Sequence, residues 1–214
     1  MENTEKKVII ITSYIDYPLD YKISKNDSSF IICTDGGYDI ALKNKIKPNL
    51  ILGDLDSIQS KVPDNISIQK FNPEKDFTDL ELAVKTASDM GFTDLEIWGG
   101  IGGRLDHTIA NIQIISGYSS KFSSLIMKDG RNKCFILYGN ENKKNYISKE
   151  AESYISLFSL SEKCTGVTIQ NVKYPLTNHT LTNTFPLGVS NEFTEKEAVL
   201  SVKDGILLVI ISKS

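Results

Sequence analysis

The chain is poor in the residues that mark several large classes of protein. Its 214 residues include only three cysteines, two histidines and one tryptophan. The cysteines (Cys33, Cys134 and Cys164) lie too far apart for zinc-ligand spacing, and their odd number does not suit a disulfide framework. Because chains without disulfides are typical of reducing compartments, we expect a cytoplasmic protein.

Charge and hydrophobicity argue against two further classes of protein, those that bind nucleic acids and those that span membranes. The formal net charge of -3 does not predict the basic surface that nucleic-acid binding needs. The late apolar run 206–211 is far shorter than the roughly 20 residues that cross a bilayer. The early run 8–11 is too short for a signal-peptide core and predicts a first strand. We therefore expect neither nucleic-acid nor membrane partners.

The hydrophobic periodicity divides the chain into two halves. Residues 1–128 alternate strand-like and helix-like stretches. The clearest helix is predicted over 79–90, with Thr78 as its N-cap and Gly91 as its stop, and a second over about 105–117. Strands that alternate with helices predict a mostly parallel, Rossmann-like three-layer α/β domain.

From about residue 132 the periodicity changes, because short β-branched or aromatic runs recur without a helical repeat. We expect strands over 134–138, 154–160, 165–172, 181–185, 198–202 and 206–211. The pair Asp204-Gly205 predicts a hairpin between the last two, and the polar segment 139–145 predicts a loop. Residues 132–214 are thus predicted to form an all-β domain, an antiparallel sandwich or barrel.

Six aspartates stand just beyond short apolar runs: Asp35, Asp54, Asp56, Asp76, Asp79 and Asp106. If those runs are neighbouring parallel strands, the carboxylates gather at the sheet edge where open α/β sheets bind ligands. Crowded carboxylates need a cation, and hard oxygen ligands suit Mg²⁺. The pattern therefore predicts a metal-phosphate site. Each cluster alone also suits a plain turn or a helix cap, so only their combination is informative.

A loop with four glycines, residues 99–104, joins a predicted strand to a predicted helix. Glycines let backbone N–H groups approach phosphate oxygens, and the following helix start favours an anion. Arg104 can add a bidentate phosphate contact. The loop fits neither the P-loop nor the dinucleotide-binding fingerprint, which disfavours both classes. His107, at the helix start, suits a structural role better than that of a general base.

Taken together, the motifs resemble those of the thiamine pyrophosphokinase family. In the first half the matching motifs are Asp35-Gly36-Gly37, Gly53-Asp54-Leu55-Asp56-Ser57, Asp76-Phe77-Thr78-Asp79 and residues 99–107. In the second half they are Thr165-Gly166-Val167, Lys173-Tyr174-Pro175-Leu176, Gly188-Val189-Ser190-Asn191-Glu192 and a hairpin over 202–210. The resemblance spans nearly the whole chain and keeps the family's motif order.

The resemblance implies a division of labour. An α/β catalytic domain (1–128) would bind ATP and Mg²⁺, and a β domain (132–214) would bind thiamine. The implied reaction transfers the pyrophosphoryl group of ATP to the thiamine hydroxyl, giving thiamine diphosphate and AMP. The resemblance also implies a homodimer with active sites between chains.

Residue roles follow from the same resemblance. The implied catalytic residues are Asp54, Asp56, Asp76, Asp79 and Arg104, and the implied Mg²⁺ ligands are Asp54, Asp56 and Asp79. The implied ATP-binding residues are Asp35, Gly100, Gly102, Gly103, Arg104, Asp106 and His107. The implied thiamine-binding residues are Ser190, Asn191 and Tyr174. Asp76 or Asp79 would accept the hydroxyl proton, unless the metal activates that oxygen instead.

Two other functions are open at this point. Another ATP-dependent kinase of small alcohols could use the same glycine loop, and its product would be ADP rather than AMP. A non-catalytic nucleotide- or thiamine-sensing module is the second alternative. Such a module is expected to lack the metal-binding acids, which are all present here.

Overall fold

A computed structural model describes residues 6–18, 28–70 and 77–213. The chain divides into two compact units, Met1–Gly130 and Arg131–Ser214. In the described ranges, no helix is both long and apolar enough to cross a membrane.

The described part of the first unit contains parallel strands and three α-helices. The strands are β1 (Lys7–Ile11), β2 (Phe30–Thr34), β3 (Leu50–Gly53), β4 (Ser67–Lys70), β5 (Asp94–Trp98) and β6 (Ser124–Lys128). The helices are α1 (Gly37–Lys43), α2 (Asp79–Asp89) and α3 (Leu105–Tyr118), and a short 3-10 helix (Ser119–Lys121) follows α3.

The sheet of the first unit has the order β4-β3-β2-β1-β5-β6, and all its pairs are parallel. The chain moves outward from β1 to β4 and then returns to the other side of β1 with β5. The switch point therefore lies between the carboxyl ends of β1 and β5, the place where open α/β sheets bind ligands. The prediction of a mostly parallel α/β domain is confirmed.

Helices cover both faces of this sheet. Alternate strand residues such as Ile9, Ile31 and Ile51 form one core cluster with Tyr38 and Ala41 of α1. Helix α2 packs on β1, β2 and β3 and against α3, and its buried residues do not belong to that cluster. It therefore covers the opposite face, which gives the predicted three layers.

Local signals set both ends of helix α2. The Thr78 hydroxyl accepts a hydrogen bond from the Glu81 amide (3.2 Å), so Thr78 is the N-cap of α2 as predicted. Gly91 follows the last turn in a left-handed conformation (φ 77°). Helix α3 begins at Leu105 and ends one residue beyond the predicted limit.

The described part of the second unit is entirely β. Its strands are β7 (Asn132–Tyr138), β8 (Asn145–Ser148), β9 (Ser153–Ser159), β10 (Lys163–Gln170), β11 (Leu176–Thr182), β12 (Gly188–Glu192), β13 (Glu197–Ser201) and β14 (Ile206–Lys213). They form two antiparallel sheets, ordered β7-β14-β9-β12 and β11-β10-β13-β8. Residues of both sheets share one core cluster, so the predicted antiparallel sandwich is confirmed.

Two local predictions for this unit need correction. Asp204-Gly205 does not close a hairpin, because β13 and β14 belong to different sheets and the pair carries the chain from one layer to the other. The strand predicted over 181–185 is instead β11, which begins at Leu176 and ends at Thr182. The motif Gly188–Glu192 forms a further strand, β12, which pairs with β9.

Candidate active site

A cavity of about 660 Å³ opens at the carboxyl ends of the first unit's strands. Residues after β1, β2, β3 and β5 line it together with the first turns of α2 and α3. The lining comprises Thr12, Ser13, Tyr14, Thr34, Asp35, Asp54, Phe77, Thr78, Asp79, Leu80, Gly100, Gly102, Gly103, Arg104, His107 and Asn111. The expectation that acids and the glycine loop meet at one sheet edge therefore holds for Asp35, Asp54 and Asp79.

Asp35 is held rigidly at the end of β2. The backbone of Asp35 adopts a left-handed conformation (φ 40°), and its carboxylate accepts a hydrogen bond from the Leu55 amide (3.2 Å). Gly53 makes this possible, because a Cβ on that residue would stand 1.7 Å from the Asp35 Oδ1. Only glycine lets the end of β3 approach the carboxylate so closely.

The Asp35 carboxyl group lies beside the Asp79 carboxyl group at the start of α2. Burial raises the pKa of Asp35, and the neighbouring carboxyl groups of Asp79 and Asp54 raise it further, to about 7. The Leu55 amide opposes this shift without cancelling it. The cavity thus concentrates negative charge that a cation would relieve.

The remaining predicted acids differ in position. Asp54 lines the cavity, and its Oδ1 accepts a hydrogen bond from the Asp56 amide (3.0 Å). Asp56 itself is exposed and does not line the cavity. Asp76 lies outside the described residues.

Across residues 6–18, 28–70 and 77–213, no three acidic, histidine or cysteine side chains are grouped so that they could hold a metal ion. Magnesium does not need such a cage, because it is usually bound by one or two carboxylates together with substrate phosphates. The donor set of the cavity, with Asp35, Asp54 and Asp79, fits a hard cation that arrives with a polyphosphate.

The backbone amides of the glycine loop donate more hydrogen bonds to other protein groups than the sequence predicted. Three loop amides donate to protein acceptors: Gly99 to the Lys128 carbonyl (2.8 Å), Gly100 to the Tyr14 carbonyl (3.0 Å) and Gly102 to the Thr108 hydroxyl (3.1 Å). The amides of Gly100 and Gly102 therefore serve the loop's own shape. A phosphate contact with Gly100 or Gly102 would have to use another atom or displace these bonds.

Sequence reasoning missed the segment just after β1 and one residue of α3. Tyr14 packs its ring against Gly103, where a Cβ would stand 2.5 Å from the Tyr14 Cζ, and its hydroxyl donates to Asp16. Asn111 is buried and donates from its Nδ2 to the Gly100 carbonyl (2.8 Å). A buried Asn on an otherwise apolar helix face was the available signal, whereas nothing local marked Tyr14.

Arg104 and Asp106 form an exposed ion pair at the start of α3. The Arg104 Nη2 lies 2.6 Å from the Asp106 Oδ2, and its Nε donates to the Oδ1 (3.2 Å). The pair lowers the pKa of Asp106 and raises that of Arg104. Arg104 and His107 line the cavity, and Asp106 holds the guanidinium beside it.

A second, smaller cavity of about 330 Å³ lies within the second unit. Its walls are mostly apolar: Ile155, Leu157, Ile169, Tyr174, Pro175, Leu176, Leu187, Gly188, Val189 and Asn191. Two of the three predicted thiamine-binding residues, Tyr174 and Asn191, are among them. Ser190 is not, and its amide donates to the Ser156 hydroxyl (2.9 Å).

Asn191 uses its side chain to hold the backbone of Tyr174. Its Oδ1 accepts from the Tyr174 amide (3.0 Å), and its Nδ2 donates to the Tyr174 carbonyl (2.7 Å). Asn191 is 9% exposed, whereas Tyr174 is 64% exposed. The buried amide therefore fixes a wall of the cavity, while the exposed tyrosine ring has the Lys173 ammonium over one face, 5.7 Å from its centroid.

Both units match models of known domain families. Residues 21–127 match the family described as "Thiamin pyrophosphokinase, catalytic domain". Residues 144–207 match "Thiamin pyrophosphokinase, vitamin B1 binding domain". The order of the two matches along the chain follows the order of the two compact units.

Individual proteins are similar to the chain over most of its length. The thiamine pyrophosphokinase of Bacillus subtilis is 32% identical over 188 residues, covering 85% of this chain and 86% of the relative. Thiamin pyrophosphokinase 1 of Caenorhabditis elegans is 24% identical and covers 86% and 80%. A crystal structure of the Bacillus subtilis enzyme superimposes with a TM-score of 0.84 at 28% identity, covering 97% of this chain and all of that one.

Proposed function

The chain belongs to the thiamine pyrophosphokinase family, and from that premise we propose how its two units divide the reaction. The chain is an enzyme that transfers the pyrophosphoryl group of ATP to thiamine. The thiamine hydroxyl oxygen forms a bond to the β-phosphorus. The bond from that phosphorus to the bridging oxygen breaks, AMP leaves, and the hydroxyl proton is lost.

ATP is assigned to the cavity of the first unit. Gly103 and Arg104 would contact the phosphates, and Asp106 would hold the Arg104 guanidinium in place. Pyrophosphoryl transfer depends mainly on positioning and on neutralising charge, which fixed amides and a guanidinium supply. Asp35 would line the same edge, with Gly100, Gly102 and His107 as the remaining nucleotide contacts.

Magnesium is proposed to enter with ATP. The proposed ligands are Asp54, Asp56 and Asp79, of which Asp54 and Asp79 line the cavity. When bound, the ion would neutralise the phosphate charge and polarise the reacting groups. The raised pKa of Asp35 supports the proposal, because it reflects burial of the carboxyl group and then the crowding of the Asp79 and Asp54 carboxylates around it. Asp79 or Asp76 remains the candidate base for the hydroxyl proton.

Thiamine is assigned to the second unit, in the apolar cavity walled by Tyr174 and Asn191. An exposed tyrosine ring beside an apolar wall suits a flat aromatic cation, because a ring face attracts positive charge. Ser190 and Asn191 keep their proposed role near the aminopyrimidine. Asn191 would act at least partly through Tyr174, since both of its polar atoms bond the Tyr174 backbone.

We further propose a cytoplasmic homodimer with active sites shared between chains. Leu105 and Ile109 are 71% and 51% exposed on α3, and exposed apolar side chains beside a ligand cavity suit a protein interface. All three cysteines are buried thiols, which suits a reducing compartment.

The observation that carries the function is the 32% identity with a thiamine pyrophosphokinase over 85% of the chain. The test is one assay: purified protein with ATP, Mg²⁺ and thiamine, with nucleotides and thiamine esters separated. We expect AMP and thiamine diphosphate in equal amounts. ADP with thiamine monophosphate would indicate a monophosphoryl kinase, and no turnover with retained ligand binding would indicate a sensing module.

A further inference from the structure

One hydroxyl group, on Thr108 of α3, holds both backbone groups of Gly102. The Thr108 Oγ1 accepts a hydrogen bond from the Gly102 amide and donates one to the Gly102 carbonyl, each at 3.1 Å. Thr108 does not line the cavity, whereas Gly102 and Gly103 do. Thr108 therefore contacts the glycine loop from outside the cavity.

The direction of the Gly102 carbonyl decides the direction of the next amide. The Gly102 carbonyl and the Gly103 N–H belong to one planar trans peptide, in which the two groups point in opposite directions. A carbonyl held toward Thr108 consequently turns the Gly103 N–H away from α3. Within the described residues this amide has no acceptor in the protein.

The same arrangement recurs two residues earlier. Asn111, three residues after Thr108 and on the same side of α3, donates to the Gly100 carbonyl at 2.8 Å. The Ile101 N–H is thereby turned away from Asn111, and it too has no acceptor among the described residues. Two carbonyls are drawn toward the helix, and two amides are left available on the other side of the loop.

The two hydrogen bonds from Thr108 are needed because the peptide that they hold joins two glycines, Gly102 and Gly103. Gly102 and Gly103 have φ values of 87° and 60°, and glycine moves between positive and negative φ at little cost. A peptide between two such residues can flip and replace a donor with a carbonyl. A carbonyl directed at a phosphate would repel it, whereas an N–H attracts it.

We propose that Thr108 is a positioning residue for ATP, which keeps the Gly103 amide available as a phosphate donor. The phosphate-binding donor of the loop is therefore the amide of Gly103, which lines the cavity, while the amides of Gly100 and Gly102 maintain the shape of the loop. This inference rests on the proposed assignment of ATP to the first unit.

The test compares Thr108→Val with Thr108→Ser. Valine keeps the shape of threonine but removes both hydrogen bonds to Gly102, and serine keeps the hydroxyl. If the competent peptide orientation falls to about a tenth of the population, the KM and Kd for ATP rise about tenfold. The KM for thiamine should stay unchanged, and Thr108→Ser should behave like the wild type.

Thr86→Val serves as the matched control, because Thr86 lies in α2 of the same unit and does not line the cavity. It should leave both KM values unchanged. ATP affinity is also measured by calorimetry without thiamine, so the result does not depend on turnover.

An unchanged ATP affinity in Thr108→Val would overturn the proposal. So would equal increases in both KM values with a lowered Tm, or a failure of Thr108→Ser to restore ATP affinity, since these indicate a merely structural role. Absence of thiamine diphosphate formation by the wild type is a separate result, which would contradict the proposed function itself.

Discussion

The carboxyl groups of Asp35 and Asp79 lie side by side, although one follows strand β2 and the other begins helix α2. Burial raises the pKa of Asp35, and the charge of the neighbouring Asp79 raises it further. A proton on Asp35 relieves both the cost of burying its charge and the repulsion between the two carboxylates.

This proton makes the stability of the metal-free protein depend on pH. The pKa of Asp35 is about 7 in the folded state, well above its ordinary value of 3.8. A raised pKa contributes stability that is present below about pH 4 and is lost as the pH rises through about 7. We expect the Tm in EDTA to fall between pH 5 and pH 8, and Asp35→Asn to flatten this fall.

Asp39→Asn is the control for this measurement. Amides of Gln59 and Ser60 lower the pKa of Asp39, so this residue is ionised throughout the same pH range in both folded and unfolded states. Its replacement should leave the slope between pH 5 and pH 8 unchanged. An equal slope in the wild type and Asp35→Asn would show that Asp35 does not hold the proton.

Asp54 and Asp56 lie two residues apart but in different surroundings, and we expect their replacement by Asn to lower kcat/KM by different amounts. Asp54 lines the cavity, whereas Asp56 is exposed outside it. Asp54→Asn should lower kcat/KM by about 100-fold or more, equivalent to about 2.7 kcal/mol, because a proposed ligand of the Mg²⁺ that would neutralise the transition state is lost. Asp56→Asn should lower kcat/KM by a clearly smaller factor. Steady-state kinetics at saturating Mg²⁺ decide between these outcomes, and equal losses would mean that Asp56 contributes to the metal site as much as Asp54.

Replacement of Asn191 and of Tyr174 should separate cavity shape from ligand contact. Asn191→Ala leaves the Tyr174 amide and carbonyl without their partners, which costs about 1–3 kcal/mol of folding free energy for a buried group. Tyr174→Ala removes an exposed ring and should leave the Tm unchanged. Both should raise the KM for thiamine and leave that for ATP unchanged.

The double variant tests whether Asn191 works through Tyr174. If it does, the effects of the two substitutions on the KM for thiamine are less than additive. Full additivity would mean that Asn191 contacts thiamine directly and independently of the tyrosine.

Mixed dimers test the proposed sharing of active sites. Asp79→Asn subunits would be nearly inactive alone, and so would Asn191→Ala subunits at a thiamine concentration far below their raised KM. If each site takes its acids from one chain and its thiamine cavity from the other, half of the randomly paired dimers contain one intact site. Roughly a quarter of wild-type activity should then return. No recovery, with subunit exchange confirmed by mass spectrometry of tagged chains, would mean that each site is built within one chain.

Strong local signals predicted the elements that frame the first cavity. Thr78 and Gly91 mark the two ends of α2, and the apolar run before Asp35 marks a buried strand, so these features could be read from neighbours in the chain. The carboxyl-edge position of the acids followed from the alternation of strands and helices.

The features that escaped prediction depend on contacts between distant parts of the chain. Asp204-Gly205 has the composition of a hairpin turn, but pairing is decided by β10 and β7, which local sequence does not show. The glycines of the loop predicted room for phosphate. The structure shows that Tyr14 and Thr108 use much of that freedom, and neither residue has a local signature.

Strand β14, residues 206–213, lies in the middle of its sheet, between β7 and β9. Strands β7 and β9 do not pair with each other, and each of them pairs with β14 instead. Their sheet therefore cannot form until β14 has left the ribosome. The second unit must therefore wait for its last strand during synthesis, while the first unit, complete by residue 130, can fold as it emerges. Any truncation that removes β14 would leave two open strand edges and expose the sandwich core, a condition that favours aggregation.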